Sequence, residues 1–261
     1  QYLKSKRKKK ILVLITQISI LIVFLAVWEI LANKKIIDSF ITSQPSRILE
    51  TFMNLGSNDL LKHIGVTTYE TIVGFLLGTV LGIIIAIILW WSDFLAKVLD
   101  PYLVVLNSLP KVALGPVIII WVGAGTPAII VMAVAISLVV TILENLNGFL
   151  RTDKELIKMA RTFKASKLQI LLKIIIPANI STFINSLKVN IGLSLVGVIS
   201  GEFLVSKAGL GYLIVYGGQV FKLDLVMTSV LILGLLAGIM YLAVLLLEKF
   251  ILKTKKVQVK K

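Results

Sequence analysis

Between Thr152 and Pro177 the chain reads T-D-K-E-L-I-K-M-A-R-T-F-K-A-S-K-L-Q-I-L-L-K-I-I-I-P, a basic and periodically apolar segment set between long uncharged stretches. Thr152 and Glu155 have the spacing of a capping box, in which a hydroxyl accepts from the third following amide and the acid reaches back. Ser166 and Gln169 repeat that spacing. Two short helices joined by a turn at Lys164-Ala165 are therefore expected. Leu156, Ile157, Ala160 and Phe163 share a face of the first, and Leu168, Leu171, Leu172 and Ile175 share a face of the second. Pro177 has no N–H to donate, so the chain kinks or restarts there. Such a pair, inside an apolar chain, is either a docking handle for a partner or a hairpin resting on lipid headgroups.

The surrounding sequence supplies the apolar setting. The chain has 261 residues, 57% of them hydrophobic, with a mean hydropathy of +0.98. Soluble domains average about 45–50% apolar. The excess has no place in one water-surrounded core, so the expected class is an all-α polytopic membrane protein. Six runs have crossing length: 11–32, 71–91, 98–122, 126–143, 177–204 and 225–247. The uncharged stretch 112–143 is 32 residues, too long for one crossing, and must turn at Gly123-Ala124-Gly125-Thr126-Pro127. The run 11–32, preceded by lysines, resembles a signal peptide, but it is 22 residues long and no small-residue cleavage pattern follows. It is expected to be a retained first span.

Net charge is +15, but the cations flank apolar runs and form no continuous phosphate-binding face, so nucleic acid is not an expected partner. Residues 1–10 hold 6 Lys and Arg, 92–100 hold 1, 151–176 hold 7 and 249–261 hold 6. The remaining connections hold Lys34, Lys35, Arg47, Lys62, Lys207 and Lys222. The bias places both termini and the 151–176 loop on the cytoplasmic side. The expected organisation is a basic arm (1–10), a first span (11–32), an extracytoplasmic connector (33–64), a core domain (65–250) containing the 151–176 loop, and a basic tail (251–261). On the far side, 46–55 (with Ser46 as N-cap and Ile48, Leu49, Phe52 and Met53 on one face) and 209–221 lie in the interface or serve as simple connections.

Several chemistries lack their residues. There is no Cys, and the single histidine, His63, reads as a solvated loop residue with no second ligand for a metal. No G-x-x-x-x-G-K-S/T phosphate loop occurs, because Gly123-Ala124-Gly125 lacks the following lysine. No nucleophile–base set and no pair of membrane acids stands out. A membrane enzyme and a carrier driven by an ion gradient alone are thus disfavoured, and a non-transport scaffold that recruits a cytoplasmic partner through 151–176 stays open.

The 152–177 segment resembles the EAA loop of ABC importer permeases, E-A-A-x3-G-x9-I-x-L-P. The pattern falls on Lys158-Met159-Ala160, Lys164, Ile174, Ile176 and Pro177. The stretch Ala160-Arg161-Thr162-Phe163, followed by Ala165-Ser166-Lys167, is similar to the A-R-T-L-G-A-S-K version of the nitrate/sulfonate/taurine branch. Likeness extends over about residues 65–250, including Leu109–Pro116 by way of Pro110 and Lys111, Trp121-Val122-Gly123-Ala124-Gly125 and Gly201-Glu202-Phe203. Lys158, Met159 and Lys164 depart from the acid, alanine and glycine of the pattern.

The resemblance implies the type I (MetI-like) permease fold with six transmembrane helices. It also implies a homodimer of this chain in the bacterial inner membrane, two ATPase subunits carrying ATP and Mg, and an extracytoplasmic solute-binding protein. The chain itself would bind no cofactor and no metal and would catalyse nothing. Leu156, Ile157, Met159, Ala160, Arg161, Thr162, Phe163, Lys164, Ala165 and Ser166 would form the ATPase-coupling element. The solute would be a small anion such as a sulfonate, taurine, nitrate or bicarbonate, or else a thiamine-precursor pyrimidine.

Ionisable groups inside spans cost about 2.5–3.5 kcal/mol on insertion scales, so each needs a reason. Asn107, Lys111, Ser194 and Glu202 are the candidate translocation residues. Lys111 either lines the route and attracts an anion, or snorkels or pairs with an acid. Glu202 either pairs with a lysine or belongs to an outer gate. Ser194 sits among glycines that suit close helix packing, and Lys188 is read as structural.

Overall fold

Long apolar runs without internal breaks can cross hydrocarbon only as helices, because each N–H and C=O must be paired within the segment. The computed structural model describes residues 2–53 and 59–258, and its regular elements are all helical. Residues 54 and 55 of the expected 46–55 helix, residues 54–58 of the connector, residue 1 of the basic arm and residues 259–261 of the tail lie outside the described residues. In chain order the helices are α1 (Tyr2–Asn33), α2 (Ser39–Thr42), α3 (Pro45–Met53), α4 (Leu60–Trp91), α5 (Asp93–Ser108) and α6 (Gly115–Val122). They continue with α7 (Thr126–Leu150), α8 (Lys154–Thr162), α9 (Lys167–Ile170), α10 (Ile176–Ala178), α11 (Ile180–Val205), α12 (Leu210–Gln219) and α13 (Leu223–Gln258).

Among the described residues, five helices are long and apolar enough to cross a membrane: Ile11–Asn33, Leu60–Trp91, Thr126–Leu150, Ile180–Val205 and Leu223–Ile251. The expected 98–122 span is not one rod. It is divided between α5 and the segment Lys111–Val122, which meet at a 90° bend, and counting that pair as one span brings the total to six. Pro110 supplies the cause: it withholds an N–H, and Leu109 before it is extended (φ −65°, ψ 138°) as a residue preceding proline prefers. The turn expected before residue 126 is present, with Gly123 at φ +90° and Gly125 at φ +112°. Only glycine holds such angles without strain.

The chain forms two compact units. In the first (Gln1–Leu61 with Leu213–Leu231), Ser43 donates to Asp224 at 2.6 Å, Arg47 pairs with Asp224 at 3.2 Å, and Phe40 stacks on Phe221. Ser46 is not the N-cap of α3, which begins at Pro45. Its N–H and hydroxyl both donate to Glu29 instead, at 3.1 and 2.9 Å. The expected common face also divides, with Ile48 buried and Leu49 and Met53 exposed.

In the second unit (Lys62–Tyr212 with Ile232–Lys261), α4, α7 and α11 pack through small residues. Gly74, Gly78 and Gly82 of α4 recur every four positions and lie against Ala133, Ser137 and Thr141 of α7, which recur at the same interval. A Cβ on Gly74 would come within 2.6 Å of the Ala133 side chain, and one on Gly82 within 2.6 Å of Thr141. Ridges of i±4 spacing with no side chain at the contact let two backbones approach closely, which is how helices associate where lipid competes for apolar surface. Gly197 and Gly201 of α11 press on Ala133 and Ile129 of the same helix.

Candidate functional site

Two regions of the second unit concentrate side-chain chemistry. They lie at opposite ends of α11, whose 26 residues rise about 39 Å at 1.5 Å each.

At the first, α8 and α9 form the expected hairpin. Ser166 caps α9: its hydroxyl accepts from the Gln169 N–H at 3.2 Å, and the Gln169 carbonyl accepts from the Ser166 N–H at 2.8 Å. The N-cap of α8 is Asp153, not Thr152. The Asp153 carboxylate accepts from the Glu155 N–H at 2.8 Å, while Thr152 is buried and accepts from Asn179 at 2.8 Å. An aspartate one position later satisfies the orphan amide as well as threonine would, which frees Thr152 to hold Asn179.

The turn between the helices closes on Lys164 at φ +57°. The Ala165 N–H bonds to the Ala160 carbonyl at 3.0 Å, and the Lys164 N–H to the Arg161 carbonyl at 2.9 Å. This pair is the six-to-one and five-to-two bonding of a Schellman cap, with lysine in the position that favours glycine. The backbone thus keeps the glycine turn, at a cost of about 1–2 kcal/mol for a left-handed L-residue.

The apolar face of α8 differs from the one expected. Ile157, Ala160 and Ala165 turn inward against a core of Leu89, Leu103, Leu146, Phe149, Ile170 and Ile175. Leu156, Met159 and Phe163 turn outward, with 44%, 53% and 79% exposure. In the second helix Leu171 and Ile175 are buried, while Leu168 and Leu172 are exposed. Periodicity marks apolar positions but not which surface claims them, and the core took the face that adjoins α4 and α7. Arg161 and Thr162 are exposed, and the Thr162 hydroxyl donates to the Lys158 carbonyl. Lys167 reaches the end of α4. Its ammonium donates to the Trp91 carbonyl at 2.6 Å and lies 5.9 and 5.7 Å from the Trp90 and Trp91 ring centres. A single π-helical turn, Leu171–Ile175, precedes Pro177, and α11 restarts at Ile180 after Asn179.

At the far end of α11, Glu202 is 1% exposed. Thr67 donates to one carboxylate oxygen at 2.6 Å and the Gly211 N–H donates to the other at 2.5 Å. Thr67 also accepts from the Leu210 N–H at 2.7 Å. Glu70, one turn along α4, is equally buried and accepts from Thr126 at 2.8 Å, while its other carboxylate oxygen is buried without a hydrogen-bond partner. A pair of membrane acids is therefore present after all, and no lysine pairs with Glu202 among the described residues. His63 is corrected as well. It is buried in α4, its Nδ1 accepts from the Gly209 N–H at 2.8 Å, and its ring stacks on Tyr212.

The remaining candidates separate. Lys111 stands at the 90° bend and donates to the Asn107 carbonyl at 3.0 Å, one of those left open at the end of α5; no acid pairs with it among the described residues. Asn107 is exposed. Ser194 is fully buried, and its hydroxyl has no hydrogen-bond partner. Lys188 pairs with Glu248 of α13 at 2.8 Å. The element missed from sequence was the Gly74-x3-Gly78-x3-Gly82 ladder, whose regular spacing alone would have revealed it.

The family model described as "Binding-protein-dependent transport system inner membrane component" matches residues 78–256. A relative from Haemophilus influenzae, described as an ABC transporter permease protein, is 30% identical over 88% of this chain and 94% of its own length. A Bacillus subtilis relative, described as an aliphatic sulfonates transport permease protein, is 27% identical over 88% of this chain and 84% of its own. A chain from a solved structure of the MetNI methionine ABC transporter superposes with a TM-score of 0.64 at 19% identity, over 71% of this chain and 92% of that one, a likeness of fold.

Proposed function

Because this chain belongs to the binding-protein-dependent transport inner membrane component family and is an ABC importer permease, we propose that its α8 hairpin is the point at which a separate ATPase drives it. The observation that carries this is the outward row Leu156, Met159 and Phe163 on a helix whose inward row is locked into the core. The row fits a groove on a partner as an amphipathic helix does. Arg161, Lys158 and Lys154 beside it attract an acidic rim. Since Ile157, Ala160 and Lys167 join the hairpin to α4 and α7, a movement of the groove is passed to the spans. ATP shifts the permease only by favouring one hairpin arrangement over the other.

In this reading two copies of the chain pair with two ATPase subunits holding ATP and Mg, and a solute-binding protein delivers to the opposite face. Both termini and the hairpin are cytoplasmic, by the distribution of lysine and arginine. The solute is a small anion of the sulfonate, taurine, nitrate or bicarbonate kind. Lys111, placed at a helix break beside Asn107, is the residue through which an anion is attracted. Glu202 acts as an internal staple, while Ser194, whose buried hydroxyl has no hydrogen-bond partner, stays a candidate for the translocation route.

The test is co-purification. A subunit bearing a phosphate-binding loop should accompany the unsubstituted chain and be lost with Phe163→Asp, whose expression and melting should not change. Solute movement through vesicles holding only the purified chain, without nucleotide, would overturn the reading. Sidedness is open to single-cysteine labelling, since the chain has no Cys of its own.

A further inference from the structure

The acid pair of α4 and α11 takes no part in coupling or in attracting a solute. Glu70 and Glu202 are each 1% exposed, and neither forms an ion pair among the described residues. Each acts electrostatically on the other. Thr67, which bonds Glu202, and Glu70 stand three residues apart on α4, so both side chains leave the same face of the helix. Two carboxylates withdrawn from water side by side repel each other, and each also loses its hydration. Something positive must stand between them.

The surroundings narrow what that is. The Gly209–Gly211 turn lies on the Glu202 carboxyl: a Cβ on Gly209 would collide with it, and one on Gly211 would come within 2.7 Å of Glu202 Oε2. On that side there is no space for the oxygen shell of a metal ion. Among the described residues, no group of three or more His, Cys, Asp and Glu side chains could hold one. Lys62 and Lys207 are exposed and pair with neither acid. His63 uses Nδ1 to accept from the Gly209 N–H, a role closed to a doubly protonated ring. Tyr212, stacked on His63, carries no positive charge in any state. A proton needs no such space, and the hydrogen bonds assign its place. The Gly211 N–H can only donate, so Glu202 Oε2 accepts there. The Thr67 hydroxyl accepts from the Leu210 N–H and gives its one proton to Glu202 Oε1. Both Glu202 oxygens are acceptors, the pattern of a carboxylate. Glu70 has the complementary pattern: Oε1 accepts from Thr126, whereas Oε2 is buried and receives no donor. A protonated Oε2 is itself a donor, and each Glu202 oxygen retains a lone pair to receive it.

We propose that Glu70 is a carboxylic acid at neutral pH whose Oε2–H donates to the Glu202 carboxylate, so that the two acids hold one proton and a single negative charge. The proton is a structural ligand. It joins α4 to α11 beneath the 209–211 turn, and Thr126 carries the line of bonds on to the first turn of α7. Glu202 keeps its place as the staple, and Glu70 supplies the donor that lets it stay charged there.

Infrared spectroscopy tests this on the full chain, with any accompanying subunits, in lipid nanodiscs at neutral pH. A protonated carboxyl group has a C=O stretch above the amide band, where carboxylates and side-chain amides have none. The unsubstituted chain should show that band, and Glu70→Gln should remove an amplitude equal to one carboxyl group per chain. A glutamine amide still donates to Glu202 and offers Thr126 a carbonyl. The melting temperature of Glu70→Gln should therefore match that of the unsubstituted chain, whereas Glu70→Ala should melt lower. Absence of the band in the unsubstituted chain, a band that Glu70→Gln leaves intact, or a Glu70→Gln variant as unstable as Glu70→Ala would overturn the proposal. So would melting that rises with sodium or potassium, which would assign the site to a metal cation. Neither readout involves ATP or a solute, so the outcome stands apart from the importer reading.

Discussion

The two ends of α11 treat their side chains in opposite ways. At the hairpin end, apolar groups are turned outward: Leu156, Met159 and Phe163 stand clear of a core that had room for Ile157 and Ala160. At the other end, charged groups are turned inward, and Glu202 and Glu70 are buried among hydroxyls and backbone amides. An exposed apolar row on a small helix gains nothing within the chain, and under the proposed function it serves a partner. A buried, multiply bonded carboxylate has its lone pairs committed already, so its use is internal. Under that proposal the contrast separates a surface for coupling from a staple for the fold.

The contrast breaks first, and most severely, at the staple. Glu202→Ala removes the acceptor for the Thr67 hydroxyl and the Gly211 N–H together, and each buried group left unpaired costs about 1–3 kcal/mol. A loss of about 3 kcal/mol is expected, seen as a large fall in folded yield and melting temperature in detergent. Glu202→Gln keeps a carbonyl acceptor and should recover much of it. If the alanine variant folds normally and only transport suffers, Glu202 is a transport residue and the distinction between the ends fails.

Next in size is a pair of adjacent substitutions on α8. Met159→Ser should leave melting unchanged and weaken ATPase association about 30-fold, corresponding to about 2 kcal/mol at a docking anchor. Ile157→Ser should lower melting, by about 2 kcal/mol from lost burial and an added hydroxyl. Reversal of the two outcomes would mean that the outward row is not the docking face.

Much of this was legible in the sequence, and the rest was hidden for physical reasons. Local rules worked where the partner lies within a few residues: the Ser166–Gln169 box, the glycine turn at 123–125 and the restart after Pro177 all formed as their chemistry requires. They failed where the choice depends on distant chain. Which flank of α8 faces inward is decided by α4 and α7, not by α8. The partner of Glu202 is Thr67, 135 positions away, and nothing near His63 in sequence reveals that Gly209 will bond it. The α8 cap moved from Thr152 to Asp153 because Asn179, distant in sequence, occupies Thr152.

Lys164 offers a smaller effect that sharpens the view of the hairpin as a stiff element. Lys164→Gly removes the left-handed penalty without disturbing the Schellman bonds, and a gain of about 1 kcal/mol in hairpin stability is expected, offset in part by the greater freedom of glycine when unfolded. Slower amide exchange at Lys164 and Ala165 would report it. Faster exchange would show that the lysine side chain contributes more than its backbone costs.

The smallest expected effect lies where the hairpin meets the spans. The Lys167 ammonium closes the end of α4 by donating to the Trp91 carbonyl, a group left open at a helix terminus, and it sits beside two indole faces. A cation at a helix C-terminus contributes about 0.3–1 kcal/mol when exposed. Lys167→Met retains the apolar stem and removes the charge, so folding should weaken by about 0.5 kcal/mol and ATPase association should hardly change. Coupling is the sensitive readout, because this contact joins the hairpin to α4 directly. If the hairpin transmits movement through Lys167 as well as through Ile157 and Ala160, ATP hydrolysis should persist in the variant while solute uptake per ATP falls. Unchanged stoichiometry would assign transmission to the apolar contacts alone and leave Lys167 as a helix cap.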